Sequence, residues 1–196
     1  MNWSLWSLII LAITVFTGIL LLEKSRFSTK QISLVATIAT FAALGRVVFS
    51  PIAGFQPATF IILLSGAIMG PISGMLTGVL MTFVSNLILG HGPWTPWQML
   101  AWGLGGLVAG LLKNNKGISK RGLLVLLVFW GFAYGLIINT WHWLAFVRPQ
   151  NWQTFLTVYS LALPFDTLHS IGNVIFCLIF FESFSKILLK YRKRIN

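Results

Sequence analysis

The chain has 196 residues, of which 57% are hydrophobic and only 9% are charged, and its mean hydropathy is +0.86. Soluble domains carry roughly 25% charged residues, so this composition excludes an ordinary soluble domain and indicates an integral membrane protein in contact with the lipid bilayer. The net charge of +11 does not indicate nucleic-acid binding, because the bases lie in short clusters at helix ends, where they set topology and meet anionic lipid.

The apolar residues form seven continuous segments, at 3–22, 31–49, 58–69, 72–89, 98–112, 122–144 and 160–187. Continuous rather than alternating runs predict helices and not a barrel. The first segment is long enough to cross the ~30 Å hydrocarbon core. It lacks the basic start and the cleavage pattern of a signal peptide, so we predict a retained helix. The third segment is short and ends at Gly70–Pro71, which predicts a tight turn there.

These segments predict an all-α integral membrane protein made of a six-helix bundle plus one extra N-terminal transmembrane helix. The extra helix and a basic cytoplasmic loop occupy residues 1–29, and the six-helix domain with its basic tail occupies residues 30–196. We see no internal repeat and no linker to a further domain.

Three basic clusters fix the predicted topology, namely Lys24/Arg26/Lys30, Lys113/Lys116/Lys120/Arg121 and Lys186/Lys190/Arg192/Lys193/Arg194. Alternation of the helices brings all three to one side, which the positive-inside rule makes cytoplasmic. The N-terminus is then outside and the C-terminus inside the cell. The opposite loops are aromatic and nearly free of acidic residues, so we expect an external surface that captures a small molecule.

Polar groups inside membrane helices are costly, at about 2.5–3.5 kcal/mol for a charge near mid-helix, and are therefore candidates for function. Together with the loop aromatics, they give the predicted substrate-binding residues Arg46, Phe49, Phe55, Gln56, Asn86, His91, Trp94, Trp97, Trp141, His142, Trp143, Arg148, Trp152, Asp166, His169 and Asn173. The tryptophans have an alternative role, since belts of tryptophan anchor many membrane proteins at the interface without binding a ligand.

Asp166, His169 and Asn173 follow one another at i, i+3 and i+7, so they share one face of a helix. This face is predicted to be the wall of a ligand cavity. The alternatives are a structural pair, in which Asp166 neutralises Arg46, and a proton relay. Because Asp166 follows Pro164, it is also a candidate cap for the helix N-terminus.

Motifs for catalysis are absent from the sequence, which has no G-x-S-x-G, no P-loop and no paired carboxylates. The histidines lack metal-site spacing, and the single cysteine, Cys177, cannot form an intramolecular disulfide. We therefore expect no enzyme activity, no catalytic residues, no metal and no cofactor. If the chain takes part in active transport, another chain must hydrolyse the ATP.

Residues 30 to 190 resemble the substrate-binding S component of an energy-coupling factor (ECF) vitamin transporter. The resemblance rests on the six-helix unit, on the stretch ATIATFAALGR with Ala39-x-x-x-Ala43, on the short helix ending at Gly70–Pro71, and on GPWTPWQMLAWGLGGLVAGLL at 92–112. This last segment is most similar to the S components assigned to cobalamin. The leading helix at 3–22 lies outside the six-helix pattern.

The resemblance implies that the chain binds a vitamin from outside under the loops at 50–57, 90–97 and 145–159. It also implies partners, a transmembrane coupling subunit and two ATPases, with Ala36, Ala39 and Ala43 as the face that contacts the coupling subunit. Cobalamin is the favoured vitamin and riboflavin the alternative. A stand-alone small transporter, a membrane enzyme using Asp166 and His169, and a structural subunit remain open.

Overall fold

The computed structural model describes residues 27–113 and 118–195, together with positions 9, 10, 12, 13, 16–18, 20 and 23. Six helices lie in the two continuous ranges: α1 (Thr29–Val48), α2 (Ala58–Met69), α3 (Pro71–Leu89), α4 (Thr95–Leu111), α5 (Lys120–Phe146) and α6 (Trp152–Ile195). The predicted leading helix at 3–22 falls largely outside the described residues, and its described positions are helical.

Four of the described helices are long and apolar enough to cross a membrane, namely α1, α3, α5 and α6. The prediction of an all-α integral membrane bundle is confirmed. The shorter helix α2 lies at the centre, where Ala58 through Ile68 are all buried. A short, fully buried helix suits this place, because its apolar surface packs on protein and never needs to match the thickness of the bilayer.

The predicted turn at Gly70–Pro71 is confirmed. Gly70 has φ of 113°, a conformation that L-residues with a side chain rarely adopt, and Pro71 is the first residue of α3. Proline suits the first turn of a helix because its missing N–H would have no intrahelical partner there. Residues 70 and 71 therefore end one helix and begin the next without a loop.

The last helix begins earlier than the sequence predicts. We expected a loop at 145–159 and a helix from 160, but α6 already begins at Trp152. Asn151 caps it, since its side-chain oxygen accepts a hydrogen bond from the backbone N–H of Thr154 at 2.9 Å. The helix continues through Pro164, so Asp166 lies inside a helix and does not cap one. Helix α4 likewise begins at Thr95 rather than at residue 98.

Helices α2, α3 and α4 approach so closely that their backbones touch at glycines. A Cβ atom built on Gly66 would overlap the Gly106 carbonyl, one on Gly106 would overlap the Gly74 carbonyl, and one on Gly110 would meet Pro71. Small residues permit this approach, which lipid alone would not drive, because the gain comes from van der Waals contact between backbones. The three helices form one rigid half of the bundle.

Helices α5 and α6 form the second half, and phenylalanines join it to α1. Phe41 of α1 contacts Phe184 of α6 with ring centroids 5.5 Å apart, and Phe49 contacts Phe176 edge-on at 5.1 Å. Near the basic end, partial burial and the positive charge of Arg192 lower the pKa of Lys113. Lys113 follows the end of α4 and Arg192 lies near the end of α6, so these two helices end close together at the basic end of the bundle.

We predict that Gly106→Ala destabilises the protein by about 1–3 kcal/mol, because the new methyl group would overlap the backbone of Gly74. The control is Gly103→Ala in the same helix. There the nearest atom is the Val79 side-chain methyl at 3.2 Å, which can shift. Both changes raise intrinsic helix propensity equally, so thermal unfolding in detergent compares the packing alone. Equal melting temperatures for the two variants would contradict the close backbone crossing.

Candidate ligand-binding site

A cavity of about 430 Å³ opens at the end of the bundle opposite the basic clusters. All five longer helices and the α1–α2 loop contribute to it. Its lining residues are Arg46, Ser50, Ile52, Gly54, Gln56, Leu89, Trp102, Tyr134, Gly135, Ile138, Asn139, Ala162, Phe165, Asp166 and His169. Cavities of roughly 300–1,000 Å³ with a few convergent polar groups are typical of small-molecule sites.

Arg46 is the buried cation of the cavity and is held by neutral partners. Its Nη1 donates to Ser85 Oγ at 2.5 Å and to Asn86 Oδ1 at 2.6 Å. The Asn86 amide in turn donates to Thr95 Oγ1 at 3.0 Å and to Gln98 Oε1 at 2.9 Å. The chain of bonds runs from α1 through α3 to α4. It fixes the guanidinium in place through neutral side chains.

Trp102 and His169 form the floor of the cavity with the help of one hydroxyl group. The Trp102 indole N–H donates to Thr59 Oγ1 at 2.9 Å, and the same oxygen lies 2.8 Å from His169 Nε2. The Arg46 guanidinium carbon lies 4.8 Å from the centroid of the Trp102 ring, a cation–π distance. The ring of Tyr134 packs on Trp102 with centroids 4.4 Å apart. The floor is therefore aromatic and rigid.

Asp166 lies on the α5–α6 wall, where its carboxyl group packs against Gly135. A Cβ atom on Gly135 would overlap that carboxyl group, so the glycine makes room for the acid. In the parts of the chain that the structure describes, Arg46 bonds Ser85 and Asn86 and not Asp166. The alternative of an Arg46–Asp166 structural pair is therefore wrong. Both charged groups line the same cavity from different helices.

The loop between α1 and α2 covers one side of the cavity and is fixed against α6 by a glycine. Gly54 has φ of 76°, and a Cβ atom there would come within 3.0 Å of the Phe165 carbonyl and 3.3 Å of the His169 amide nitrogen. Only glycine permits both the left-handed conformation and this approach. The loop is thus built to lie directly on α6 above the cavity.

The structure brings four of the predicted site residues into the cavity lining, namely Arg46, Gln56, Asp166 and His169. Asn86 lies behind Arg46 and orients it. Asn173 shares the face of Asp166 and His169 as predicted. It lies deeper, however, and its side-chain amide donates to the Leu127 carbonyl at 3.1 Å. Its part is to join α5 and α6.

The other predicted site residues do not line the cavity in the described part of the chain; they are Phe49, Phe55, His91, Trp94, Trp97, Trp141, His142, Trp143, Arg148 and Trp152. They contact their own neighbours instead, and their part in binding stays a prediction. The Trp143 indole donates to Thr154 Oγ1 at 3.0 Å, and Trp152 stacks on Phe155. Arg148 donates to the carbonyl of Val147 at 2.7 Å.

The remaining members of this group are similarly engaged away from the cavity. Phe49 and Phe55 pack on Phe176, and Trp141 and His142 pack on Phe146. The ring of His91 contacts Phe83, and a Cβ atom on Gly92 would meet the ring of Trp94. Trp97 is half-buried beside these residues. These aromatics shape the loop end of the bundle and anchor it, as the alternative of an interfacial belt proposes.

Three prominent lining residues, Trp102, Tyr134 and Asn139, are outside the predicted substrate-binding set, although Trp102 and Asn139 belong to the tryptophans and membrane-embedded polar residues from which that set was chosen. A signal existed for the last two, because a tyrosine hydroxyl and a side-chain amide inside an apolar helix are both costly. Trp102 gave a weaker indication, because a tryptophan near a helix end is common in membrane proteins.

The predicted partner face on α1 requires a correction. Ala39 and Ala43 are 1% and 2% exposed, because they pack inside the bundle. They cannot contact a coupling subunit in this arrangement. Ala36 is exposed, so of the three predicted alanines it alone lies on the outer face of α1.

Residues 26–186 match the family described as "ECF-type riboflavin transporter, S component". The chain belongs to this family. A "UPF0397 protein" of Streptococcus gordonii (strain Challis) is 44% identical over 57 residues, which make up 29% of this chain and 30% of that protein. The chain thus matches less than a third of the length of this curated relative. No solved structure matches the chain.

Family membership confirms the resemblance to ECF S components. Together with the apolar helices, it supports a multi-pass membrane protein. The cobalamin assignment is not confirmed by the family match.

We predict that Thr59→Val lowers the free energy of unfolding by about 1–3 kcal/mol. The change keeps the shape of the side chain but leaves Trp102 Nε1 and His169 Nε2, both buried, without their shared partner. Thr59→Ser keeps the hydroxyl group and is the matched control. Thermal unfolding in detergent should separate the two variants, and a melting temperature for the valine variant at or above that of the serine variant would refute the role of the hydroxyl.

Proposed function

We propose that this chain is the S component that captures a flat heteroaromatic vitamin, with riboflavin as the first candidate. The observation that carries the proposal is the cavity of about 430 Å³ with Arg46 and Asp166 on different walls and aromatic rings between them. The description of the matched family supports riboflavin. The size of the cavity suits a single drug-sized molecule.

The chemistry of the lining fits a ring system with carbonyl oxygens and N–H groups. Arg46 can donate to ring carbonyl oxygens, and Asp166 can accept from a ring N–H or from hydroxyl groups of a side chain. The Asn139 amide can do both. Tyr134 and Phe165 provide aromatic surface for stacking. A ligand that uses both Arg46 and Asp166 must reach across the cavity, which favours an elongated molecule.

Cobalamin, which the resemblance of residues 92–112 favours, stays a prediction and is the second candidate vitamin. It is far larger than riboflavin, and a cavity of about 430 Å³ cannot enclose it. Its binding would require that the loop at 50–57 move away from α6. Gly54 packs closely there on the backbone of Phe165 and His169, which argues for the smaller vitamin.

We further propose that the cavity faces the outside of the cell and that uptake requires an ECF module. The orientation follows from the basic clusters, which the positive-inside rule assigns to the cytoplasm. The chain has no nucleotide-binding motif, so a coupling subunit and two ATPases must supply the energy, as in ECF transporters generally.

The direct test is a calorimetric titration of the purified chain in detergent with riboflavin, then cobalamin and folate. Saturable binding of riboflavin alone, at one molecule per chain, is the expected result. Binding of cobalamin but not riboflavin would overturn the choice of vitamin and require an opened loop. Failure of all three ligands to bind would reject the proposed ligand class.

Arg46→Gln and Asp166→Asn are predicted to weaken riboflavin binding by about tenfold to a hundredfold each. Each removes one hydrogen bond to a charged group, which is worth about 1.5–3 kcal/mol. Arg148→Gln is the matched control, because its guanidinium bonds the carbonyls of Leu144 and Val147 outside the cavity. Asp166 is only partly buried, so its isosteric amide variant remains informative if Arg46→Gln folds poorly. A loss of affinity in Arg148→Gln equal to that in the other two would place the site in the outer loops.

Ala36→Trp is predicted to leave vitamin binding in detergent unchanged while reducing uptake by vesicles that contain the whole transporter at least tenfold. The new ring would project from the outer face of α1 and block close approach of a coupling helix. Val125→Trp, at an exposed position on α5, controls for the bulk of the ring. Equal uptake by the two variants would remove α1 from the partner surface.

A further inference from the structure

A second, larger cavity lies at the basic end of the bundle as a groove between α1 and α6. Its volume is about 810 Å³. Its deeper part is apolar and is lined by Leu34, Ile38, Phe41, Ile61, Phe184, Ile187 and Leu188. Its mouth is polar and is lined by Thr29, Lys30, Ser33, Tyr191 and Arg194. The vitamin cavity shares none of these residues, so the groove is a separate site.

The groove has the depth of one membrane leaflet. It extends along α1 from Thr29 to Phe41, which corresponds to about 18 Å at 1.5 Å per residue. Half of the hydrocarbon core is roughly 15 Å. At its inner end the Phe41 and Phe184 rings meet, with centroids 5.5 Å apart, and close the groove. An elongated apolar chain entering from the basic end would therefore end near the middle of the bilayer.

In the deeper part of the groove, the lining side chains require no hydrogen bond from a bound molecule. The hydroxyl of Thr37, which lines the groove, donates to the Ser33 carbonyl at 2.8 Å within α1. The other lining residues beyond the mouth are hydrocarbon or aromatic. Such a surface accepts an acyl chain without leaving a buried hydrogen-bonding group unpaired.

The mouth of the groove carries positive charge from two basic side chains. Lys30 and Arg194 line it from two helices. The whole sequence has 14 basic residues against three acidic ones, and one of the three, Asp166, lies in the vitamin cavity. Basic side chains at this depth attract the anionic headgroups of the membrane surface.

We propose that this groove binds one anionic phospholipid from the leaflet at the basic end. One acyl chain lies between α1 and α6, and the phosphate is held between Lys30 and Arg194. The proposal does not depend on which vitamin the chain carries. It needs only a membrane-embedded bundle with its basic end at a lipid surface.

The test is native mass spectrometry of the full chain, released from detergent, with phosphatidylglycerol or with phosphatidylcholine of identical acyl chains. We expect one phosphatidylglycerol molecule to remain bound per chain, with roughly tenfold or greater preference over phosphatidylcholine. The double variant Lys30→Gln/Arg194→Gln should lose most of this preference. Thr37→Trp, which fills the groove and keeps both charges, should lose the bound lipid.

The matched control is Arg121→Gln/Lys186→Gln, which removes two exposed charges at the same end but outside the groove. Equal loss of lipid in both double variants would overturn the proposal, because general surface charge would then explain it. Equal retention of both lipids by the unmodified chain would overturn the headgroup contact. A dimer without lipid would assign the groove to a second copy instead. If Thr37→Trp fails to fold, the comparison of the two double variants still tests the proposal.

Discussion

A guanidinium group inside an apolar bundle must be solvated by the protein, and the position of Arg46 determines much of what surrounds it. Its partners are a hydroxyl, an amide and the face of an indole ring, all of them neutral. Neutral dipoles stabilise a buried charge without cancelling it. The bonds also join α1 to α3 and α4, so the glycine-packed half of the bundle serves as a rigid mount for one cation. Arg46 therefore gives the cavity one positively charged wall.

The second half of the bundle supplies what the first lacks. Helices α5 and α6 bring an acid, a tyrosine and an amide to the opposite wall, and Gly135 has no side chain because the Asp166 carboxyl group occupies that space. Phenylalanine side chains join α6 to α1, whereas α2, α3 and α4 touch through their backbones. Side-chain contacts can rearrange at lower cost than a backbone crossing. A ligand that bridges Arg46 and Asp166 would add a link between α1 and α6 across the cavity.

The sequence predicted features that depend on local chemistry and failed where tertiary contacts decide. The turn at Gly70–Pro71 was predictable, because a glycine with positive φ followed by proline can only end one helix and start another. The polar residues of the cavity were partly predictable, since Arg46 and Asp166 are too costly in a membrane to lack a purpose. The loop tryptophans lie outside the cavity, and the sequence could not have shown this, because an indole that anchors at the interface and one that binds a ligand have the same sequence signature. The early start of α6 also escaped prediction, since it depends on a single cap at Asn151.

Helices α1 and α6 are the elements that line both cavities. Arg46 of α1 and His169 of α6 line the cavity near the loops. Phe41 of α1 and Leu188 of α6 line the groove at the basic end. The tilted contact of Phe41 with Phe184 and the edge-on contact of Phe49 with Phe176 join the two helices between the ends of the bundle. Any occupant of one site that changes the spacing of the two helices must act on the other, and thermodynamic linkage makes that effect reciprocal. Because α1 and α6 line both cavities, ligand binding in one cavity would be coupled to lipid binding in the groove if both proposals hold.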